Sequence, residues 1–141
     1  MSVRAKLTRA FADRASLLSI GLEPAPKYLP AGFEPTIAGY ERFLRLVVEA
    51  TDGLAAAYKF NVAFFEALGA EGWALMERLR ADLPADALSI ADGKFSDIGS
   101  SAERYAHAMY DRLGVDSATV NPMLGHDSVE PPLRVPPRAR R

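Results

Sequence analysis

Residues 88–103 read Leu88-Ser-Ile-Ala-Asp-Gly-Lys-Phe-Ser-Asp-Ile-Gly-Ser-Ser-Ala-Glu103, and this stretch carries the strongest structural signal in the chain. It begins with a short apolar run that is typical of a buried strand. It ends in Ser100-Ser-Ala-Glu103, which predicts a capping box at the start of a helix. A strand that leads directly into a helix is the repeating unit of parallel α/β folds, so the stretch favours that fold class.

Three charged residues, Asp92, Lys94 and Asp97, lie between the predicted strand and helix. Side chains two apart on a strand share a face, so Asp92 and Lys94 are expected to point the same way. Asp97 follows where the chain has left the strand. An ammonium between two carboxylates is costly to build, and it therefore indicates a functional site. Because Asp92-Gly93 is also a strong turn signal, a hairpin over residues 89–97 is the alternative.

The strand-then-helix pattern occurs three times along the chain and is followed by a fourth strand. Strands are predicted over residues 17–22, 55–61, 88–94 and 117–121, and apolar residues at helical spacing follow each of the first three. Thr36 is the predicted N-cap of the helix after the first strand. A further short helix is predicted at the amino terminus. Because strands that alternate with helices pair in parallel, the pattern disfavours the hairpin alternative.

Polar residues recur at the carboxyl end of every predicted strand. In β/α barrels and open parallel sheets, functional sites lie at that edge. The sequence therefore predicts that these side chains share one site: Glu23, Lys59, Asn61, Asp92, Lys94 and Asn121.

Composition excludes several classes of protein. The 141 residues have a formal net charge of −1. The chain therefore lacks the positive charge that would favour binding to nucleic acid or to an anionic membrane. The chain has no Cys for a disulfide framework and two His, too few for a His-based metal site. It shows neither a signal peptide nor a membrane-spanning run, so a cytoplasmic location is expected.

Residues 1–130 are predicted to form one domain and residues 131–141 a disordered tail. The tail holds four Pro and four Arg, a composition that disfavours both a strand and a regular helix.

Three motifs resemble orotidine 5′-phosphate decarboxylase, in particular the bacterial subfamily that includes the mycobacterial enzymes. They are Lys59-Phe-Asn61, Asp92-Gly-Lys-Phe-Ser-Asp97-Ile-Gly and Thr119-Val-Asn-Pro-Met-Leu-Gly-His-Asp127, and the resemblance covers nearly all of residues 14–131. The D-x-K-x-x-D element is specific here because the K-x-N element precedes it. Alone, it would also suit sugar-phosphate decarboxylases and aldolases of the same superfamily.

The resemblance implies a (β/α)₈ TIM barrel, of which this chain would supply about the first four βα units. It implies a homodimer with its sites at the subunit interface, a small nucleotide as substrate, and neither cofactor nor metal. The reaction would convert orotidine 5′-monophosphate to uridine 5′-monophosphate and carbon dioxide in de novo pyrimidine biosynthesis.

The resemblance also implies roles for individual residues. Lys94 would be the general acid that protonates C6, Asp92 would lie beside the departing carboxylate, and Asp97 would reach into the partner subunit's site. Six residues would bind the substrate: Glu23, Lys59, Asn61, Ser101, Asn121 and Pro122.

The chain departs from the family pattern in three respects. Glu23 replaces a common Asp, and Gly93-Lys-Phe-Ser96 replaces the commoner Ala-Lys-Arg-Gly. The family is roughly twice as long, so the phosphate-binding loops of its second half are missing from this sequence, and impaired turnover is expected.

Two alternative functions remain: a noncatalytic half-barrel that binds nucleotide or self-associates, and a related sugar-phosphate lyase. A half-barrel would also leave two unpaired sheet edges and expose apolar strand surface.

Overall fold

The computed structural model describes residues 3–134 and confirms the α/β fold class. Its centre is a four-stranded parallel sheet in which the strands follow one another in chain order. The strands are β1 (Ser19–Leu22), β2 (Ala57–Asn61), β3 (Leu88–Phe95) and β4 (Ser117–Val120). Since each strand lies beside the next one in the sequence, the sheet has the order of one part of a β/α barrel.

The described helices connect the strands or flank the sheet. They are α1 (Val3–Arg14), α2 (Ile37–Thr51), α3 (Val62–Glu66), α4 (Gly69–Asp82), α5 (Gly99–Ala106) and α6 (His126–Arg134). Helix α5 continues into a wider π-helical segment, His107–Leu113, and short 3₁₀ turns occupy Pro26–Tyr28 and Pro122–Leu124. None of the helices within residues 3–134 is long and apolar enough to cross a lipid bilayer.

Strand β3 decides between the two interpretations of Asp92-Gly93. It runs without reversal to Phe95 and pairs in parallel with both neighbours, with Asn61 opposite Asp92 and Val120 opposite Phe95. The hairpin alternative is therefore wrong. The charged residues lie at the carboxyl edge of the sheet, as the alternating pattern predicts.

The helix starts were predicted with mixed success. Thr36 is the N-cap of α2, and its Oγ1 accepts a hydrogen bond from the Gly39 N–H at 3.1 Å, as predicted. The predicted capping box of α5 is wrong, because the helix begins at Gly99 and its N-cap is Ile98, which has no side-chain cap. Ser100 therefore lies in the first turn, two residues after the N-cap position.

The core lies between the sheet and the helices that cover its outer face. Tyr58 and Phe60 of β2 are fully buried there, together with Leu44 of α2 and Leu75 and Met76 of α4. Complete burial of a large apolar side chain stabilises the fold by about 1.5 to 3 kcal/mol. The Tyr58 hydroxyl is satisfied by donating to the Val48 carbonyl at 3.2 Å.

The inner face of the sheet has a different character. Near the amino ends of the strands, Ala57 and Leu88 pack against Ala10 of α1. Further along, the inner face carries Lys59, Asn61, Asp92 and other polar side chains. The large hydrophobic side chains that are exposed within residues 3–134 all lie outside the strands. The expected exposure of apolar strand surface is therefore confined to Leu17 and Leu18, which were predicted to begin the first strand, because the open part of the inner face is polar.

Helix α1 closes the amino end of the sheet through a buried ion pair. Lys6 is 4% exposed, and its Nζ lies 2.6 Å from Asp116 Oδ2. The same carboxylate accepts hydrogen bonds from the Ser89 hydroxyl at 2.7 Å and the Ser89 N–H at 2.9 Å. Burial raises the pKa of Asp116, but the hydrogen bonds from Lys6 and Ser89 outweigh it and leave that pKa below its ordinary value.

The predicted start of a disordered tail at residue 131 is wrong for residues 131–134, which form the end of α6. Pro131 and Pro132 lie inside this helix, and the fixed φ of proline is also the φ of a helix. Ser128 anchors the helix, since it is 2% exposed and donates to the Gly125 carbonyl at 2.7 Å. Residues 135–141, the rest of the predicted tail, lie outside the described residues.

Candidate active site

Asp92, at the carboxyl end of β3, is the centre of a polar cluster on the inner face. Its Oδ2 accepts from Lys59 Nζ at 3.0 Å, and its Oδ1 accepts from Lys94 Nζ at 2.9 Å and from Thr119 Oγ1 at 2.8 Å. We refer to Lys59, Asp92, Lys94 and Thr119 as the Asp92 cluster. Three neighbouring strands contribute to it because parallel pairing brings their carboxyl ends to one edge.

The cluster keeps Asp92 ionised. The hydrogen bond from Lys94 is the largest cause that lowers the Asp92 pKa, and those from Thr119 and Lys59 add to it. Partial burial opposes them, but the pKa still lies far below the ordinary value of an aspartate. Two lysines around one carboxylate leave a formal excess of positive charge, which suits an anionic ligand.

A second polar pair continues the site toward β1. Asn61 Nδ2 donates to Glu23 Oε1 at 3.3 Å. Glu23 directly follows β1, and Asn61 lies opposite Asp92 in the pairing of β2 with β3. The polar residues of the four strands therefore form a continuous row across the inner face at its carboxyl edge.

A bulge in β3 shapes the cluster. Ala91 pairs with Ala118 and Phe95 with Val120, so the three residues 92–94 of β3 face the single residue Thr119 of β4. Within the bulge, Lys94 has a φ of +49°, in the left-handed region. This conformation costs an L-residue about 1 to 2 kcal/mol. Backbone strain and bulges are frequent at functional sites, so this conformation supports the interpretation of the carboxyl edge as a candidate site.

Gly93 fits this bulge because it has no side chain. A Cβ at this position would lie 2.3 Å from Cζ of the Phe95 ring. The ring packs in turn against Tyr105 of α5, with 5.0 Å between the centroids. Gly93 and Phe95 therefore act as a matched pair, in which the absent side chain of one leaves room for the ring of the other.

Five of the nine predicted site residues come together in this row: Glu23, Lys59, Asn61, Asp92 and Lys94. The other four lie at the same end of the molecule with different contacts. Asp97 Oδ1 accepts from the Ile98 N–H at 2.7 Å, and Asn121 Oδ1 accepts from the Met123 N–H at 3.1 Å. Ser101 lies in the first turns of α5, and Pro122 begins a 3₁₀ turn with its side chain exposed.

Thr119 belongs to the cluster but was not predicted as a site residue. A sequence signal for it existed, because Thr119 lies two residues before Asn121 and so shares its face of β4. Its contacts depend on the bulge in β3, which strand periodicity does not reveal.

No group of three or more acidic or histidine side chains within residues 3–134 is close enough to hold a metal ion. The donors around Asp92 are ammonium and hydroxyl groups, so the cluster is arranged to hold a negative charge.

Comparison with known proteins identifies the family. The sequence model of the orotidine 5′-phosphate decarboxylase / HUMPS family matches residues 16–137. The orotidine 5′-phosphate decarboxylase of Dehalococcoides mccartyi is 42% identical over 126 residues, which are 89% of this chain and 45% of that protein. The enzyme of the same name from a Roseiflexus species is 45% identical over 119 residues, 84% of this chain and 43% of that protein.

Solved structures agree with the sequence comparison. The structure of Leishmania donovani OMP decarboxylase superposes with a TM-score of 0.84 at 35% identity, covering 95% of this chain and 50% of that one. The chain thus spans about half the length of the curated relatives it matches. Its fold, its motifs and its sequence similarity lead to the same conclusion: this chain belongs to the orotidine 5′-phosphate decarboxylase / HUMPS family.

Proposed function

We propose that this chain supplies the lysine-bearing half of an active site that decarboxylates orotidine 5′-monophosphate to uridine 5′-monophosphate. The Asp92 cluster carries the proposal, since it fixes a carboxylate and an accessible ammonium side by side. The Lys94 side chain is 70% exposed, whereas that of Asp92 is 13% exposed. The ammonium can therefore reach a ligand while its carboxylate partner stays fixed.

The chemistry follows from this arrangement. When the bond between C6 and the carboxylate breaks, its electron pair stays on C6 and carbon dioxide leaves. Lys94 Nζ then gives a proton to C6, and solvent reprotonates the amine. A carbanion at C6 has no adjacent electron sink, so fixed charges must stabilise it. Charges that interact more strongly with the transition state than with the substrate accelerate the chemical step.

The remaining predicted residues complete the proposal. Lys59, Glu23 and Asn61 would bind the ribose, and Ser101, Asn121 and Pro122 would line the site beside the pyrimidine or ribose. Asp97, whose carboxylate is turned to its own backbone, would serve the site of a second subunit in a homodimer. A cytoplasmic location is part of the same proposal.

A chimera tests the chemistry. Residues 1–134, which include α1 and its buried ion pair, are joined to the corresponding second half of the Dehalococcoides mccartyi relative, and uridine 5′-monophosphate formation is followed by absorbance. We expect turnover in the chimera and a loss of about 10²- to 10⁴-fold in kcat for Lys94→Ala, because a positioned general acid contributes that much. Arg112→Ala removes a positive charge from an exposed residue of the π-helical segment and is the matched control. A Lys94→Ala chimera as fast as its parent would refute the role of Lys94.

Residues 1–141 alone are expected to form product far more slowly than the chimera, because the phosphate-binding loops lie outside this sequence. The excess positive charge of the Asp92 cluster favours a second candidate, nucleotide binding without turnover. Two measurements together separate turnover from binding alone: calorimetry with uridine 5′-monophosphate on residues 1–141, and product formation by the chimera. Binding without product formation by the chimera would support the second candidate.

A further inference from the structure

We propose that Thr119 is a positioning residue that sets the conformation of Lys94 and the orientation of Asp92 through a single hydroxyl group. This inference rests on the proposed function for its kinetic consequence, although the contacts themselves are independent of it. Thr119 touches neither reacting atom in the proposed reaction. Its effect passes through the two residues that do.

The hydroxyl of Thr119 makes two directed hydrogen bonds. It donates to Asp92 Oδ1 at 2.8 Å and accepts from the Lys94 backbone N–H at 2.9 Å. A hydroxyl has one proton and two lone pairs, so it can make both bonds at once. Asp92 Oδ1 also accepts from Lys94 Nζ. Backbone, hydroxyl, carboxylate and ammonium therefore form a closed ring of hydrogen bonds.

The bulge explains why a side chain is needed there. In a regular parallel ladder, the N–H groups of a strand donate to carbonyl groups of the neighbouring strand. Three residues of β3 face one residue of β4 here, so that ladder is interrupted over residues 92–94. The Thr119 hydroxyl takes the Lys94 N–H that the bulge releases. It thereby stabilises the left-handed backbone of Lys94, from which the side chain returns to Asp92.

A β-branched residue also suits the position for a second reason. Threonine has restricted rotation about χ1, so its hydroxyl is held in a fixed direction on the strand. Serine offers the same hydroxyl with more freedom, and valine offers nearly the same shape without it. The three residues therefore separate the contribution of the hydroxyl from that of packing.

The structural test uses residues 1–141 and amide hydrogen exchange measured by NMR. We expect the Lys94 amide to exchange about tenfold faster in Thr119→Val than in the parent, since one hydrogen bond is lost. Thr119→Ser should restore slow exchange, and the Phe60 amide of β2 serves as the unaffected reference. Should Thr119→Val fail to fold, Thr119→Ala gives the same contrast with Thr119→Ser.

The kinetic test uses the chimera described above. We expect Thr119→Val to lower kcat by about 10- to 100-fold, because a small misplacement of reacting groups is that costly. KM should change little, since the cluster's ligand-binding groups remain, and Thr119→Ser should recover most of the kcat. A general loss of structure would raise KM as well and would not be repaired by serine.

The outcomes are distinct. Unchanged exchange of the Lys94 amide in Thr119→Val, or a serine variant as slow as the valine variant, would overturn the role of Thr119. An inactive parent chimera would overturn the proposed function instead, and the exchange measurement would still decide whether Thr119 controls Lys94.

Discussion

Lys94 combines an accessible ammonium group with a strained backbone. Its side chain is largely exposed, yet its backbone is confined to a left-handed conformation that disfavours every residue except glycine. Selection for stability alone would place glycine at this position. The lysine at this position therefore agrees with the proposed role of its ammonium group.

Substitution of Lys94 separates strain from charge. Lys94→Gly and Lys94→Ala both remove the ammonium and its bond to Asp92, and they differ in the ease of adopting a positive φ. We expect the glycine variant to have a free energy of unfolding about 1 kcal/mol above that of the alanine variant. Urea unfolding of residues 1–141 measures the difference. Equal stabilities would mean that Lys94 is not strained in solution.

Gly93 offers a test of the matched pair with Phe95. Gly93→Ala should lower the free energy of unfolding by about 1 to 3 kcal/mol, because the new methyl group collides with the Phe95 ring. In the double variant Gly93→Ala/Phe95→Leu we expect part of this loss to be recovered. A double-mutant cycle from urea unfolding gives the coupling energy. Additive effects of the two changes would show that the ring does not restrict residue 93.

At the scale of elements, helices α2 and α4 are joined by a charged network at their surfaces. Arg78 Nη2 and Arg45 Nη2 lie 2.6 Å and 2.8 Å from the Glu41 carboxylate, and Arg45 also pairs with Asp82. The hydrogen bond from Arg78 is the largest cause that lowers the Glu41 pKa, and the one from Arg45 adds to it. The pKa falls to about 2. The helices therefore share a carboxylate that stays ionised well into the acidic range.

This network predicts a pH dependence of stability. An unfolded glutamate titrates near pH 4.3, so Glu41 should stabilise the fold fully above about that pH. Its contribution, about 1 kcal/mol for a partly exposed pair, should decline as the pH falls toward 2. Glu41→Gln should accordingly be less stable than the parent at pH 7 and approach it at pH 3 in urea titrations. Glu77→Gln, at an exposed position of α4, is the control, and a deficit for Glu41→Gln that persists unchanged at pH 3 would contradict the expectation.

The sequence was sufficient for the order of the strands and for five of the side chains that lie in the row at their carboxyl edge. Periodicity and turn residues are local signals, and they place the four strands and the N-cap at Thr36. The short helix α3 ahead of α4 was not predicted, because the break between the two depends on Gly69, whose φ is +68°. The end of α6 was missed because proline composition says nothing of the packing that Ser128 provides. Thr119 was missed because its contacts depend on the bulge in β3, and a bulge forms only when two strands pair.

At the scale of the whole molecule, the sheet of residues 3–134 ends in two strands, β1 and β4, that each have one neighbour. Unpaired strand edges favour association with other chains. Leu17 and Leu18, which precede β1, add exposed apolar surface, and Leu17 is 80% exposed. This corner of the molecule therefore combines free backbone groups with a hydrophobic surface.

Association of residues 1–141 should depend on that corner. In sedimentation velocity over a tenfold concentration range, we expect species heavier than the monomer. Leu17→Lys should shift the distribution toward monomer, because a charge at a strand edge opposes pairing. Leu46→Lys, which alters an exposed leucine of α2, should leave the distribution unchanged. Equal effects of the two variants would indicate nonspecific hydrophobic association that does not depend on the edge at β1.

The buried pair of Lys6 with Asp116 lies at the opposite rim of the sheet from Asp92. Ser89 and Asp92 are three positions apart on β3, a spacing of about 10 Å, at which free-energy changes are usually additive. Helix α1 and its ion pair can therefore be redesigned without disturbing the Asp92 cluster. Substitutions that stabilise the contact between α1 and the sheet should raise the free energy of unfolding. The protein would then tolerate destabilising substitutions near Lys94.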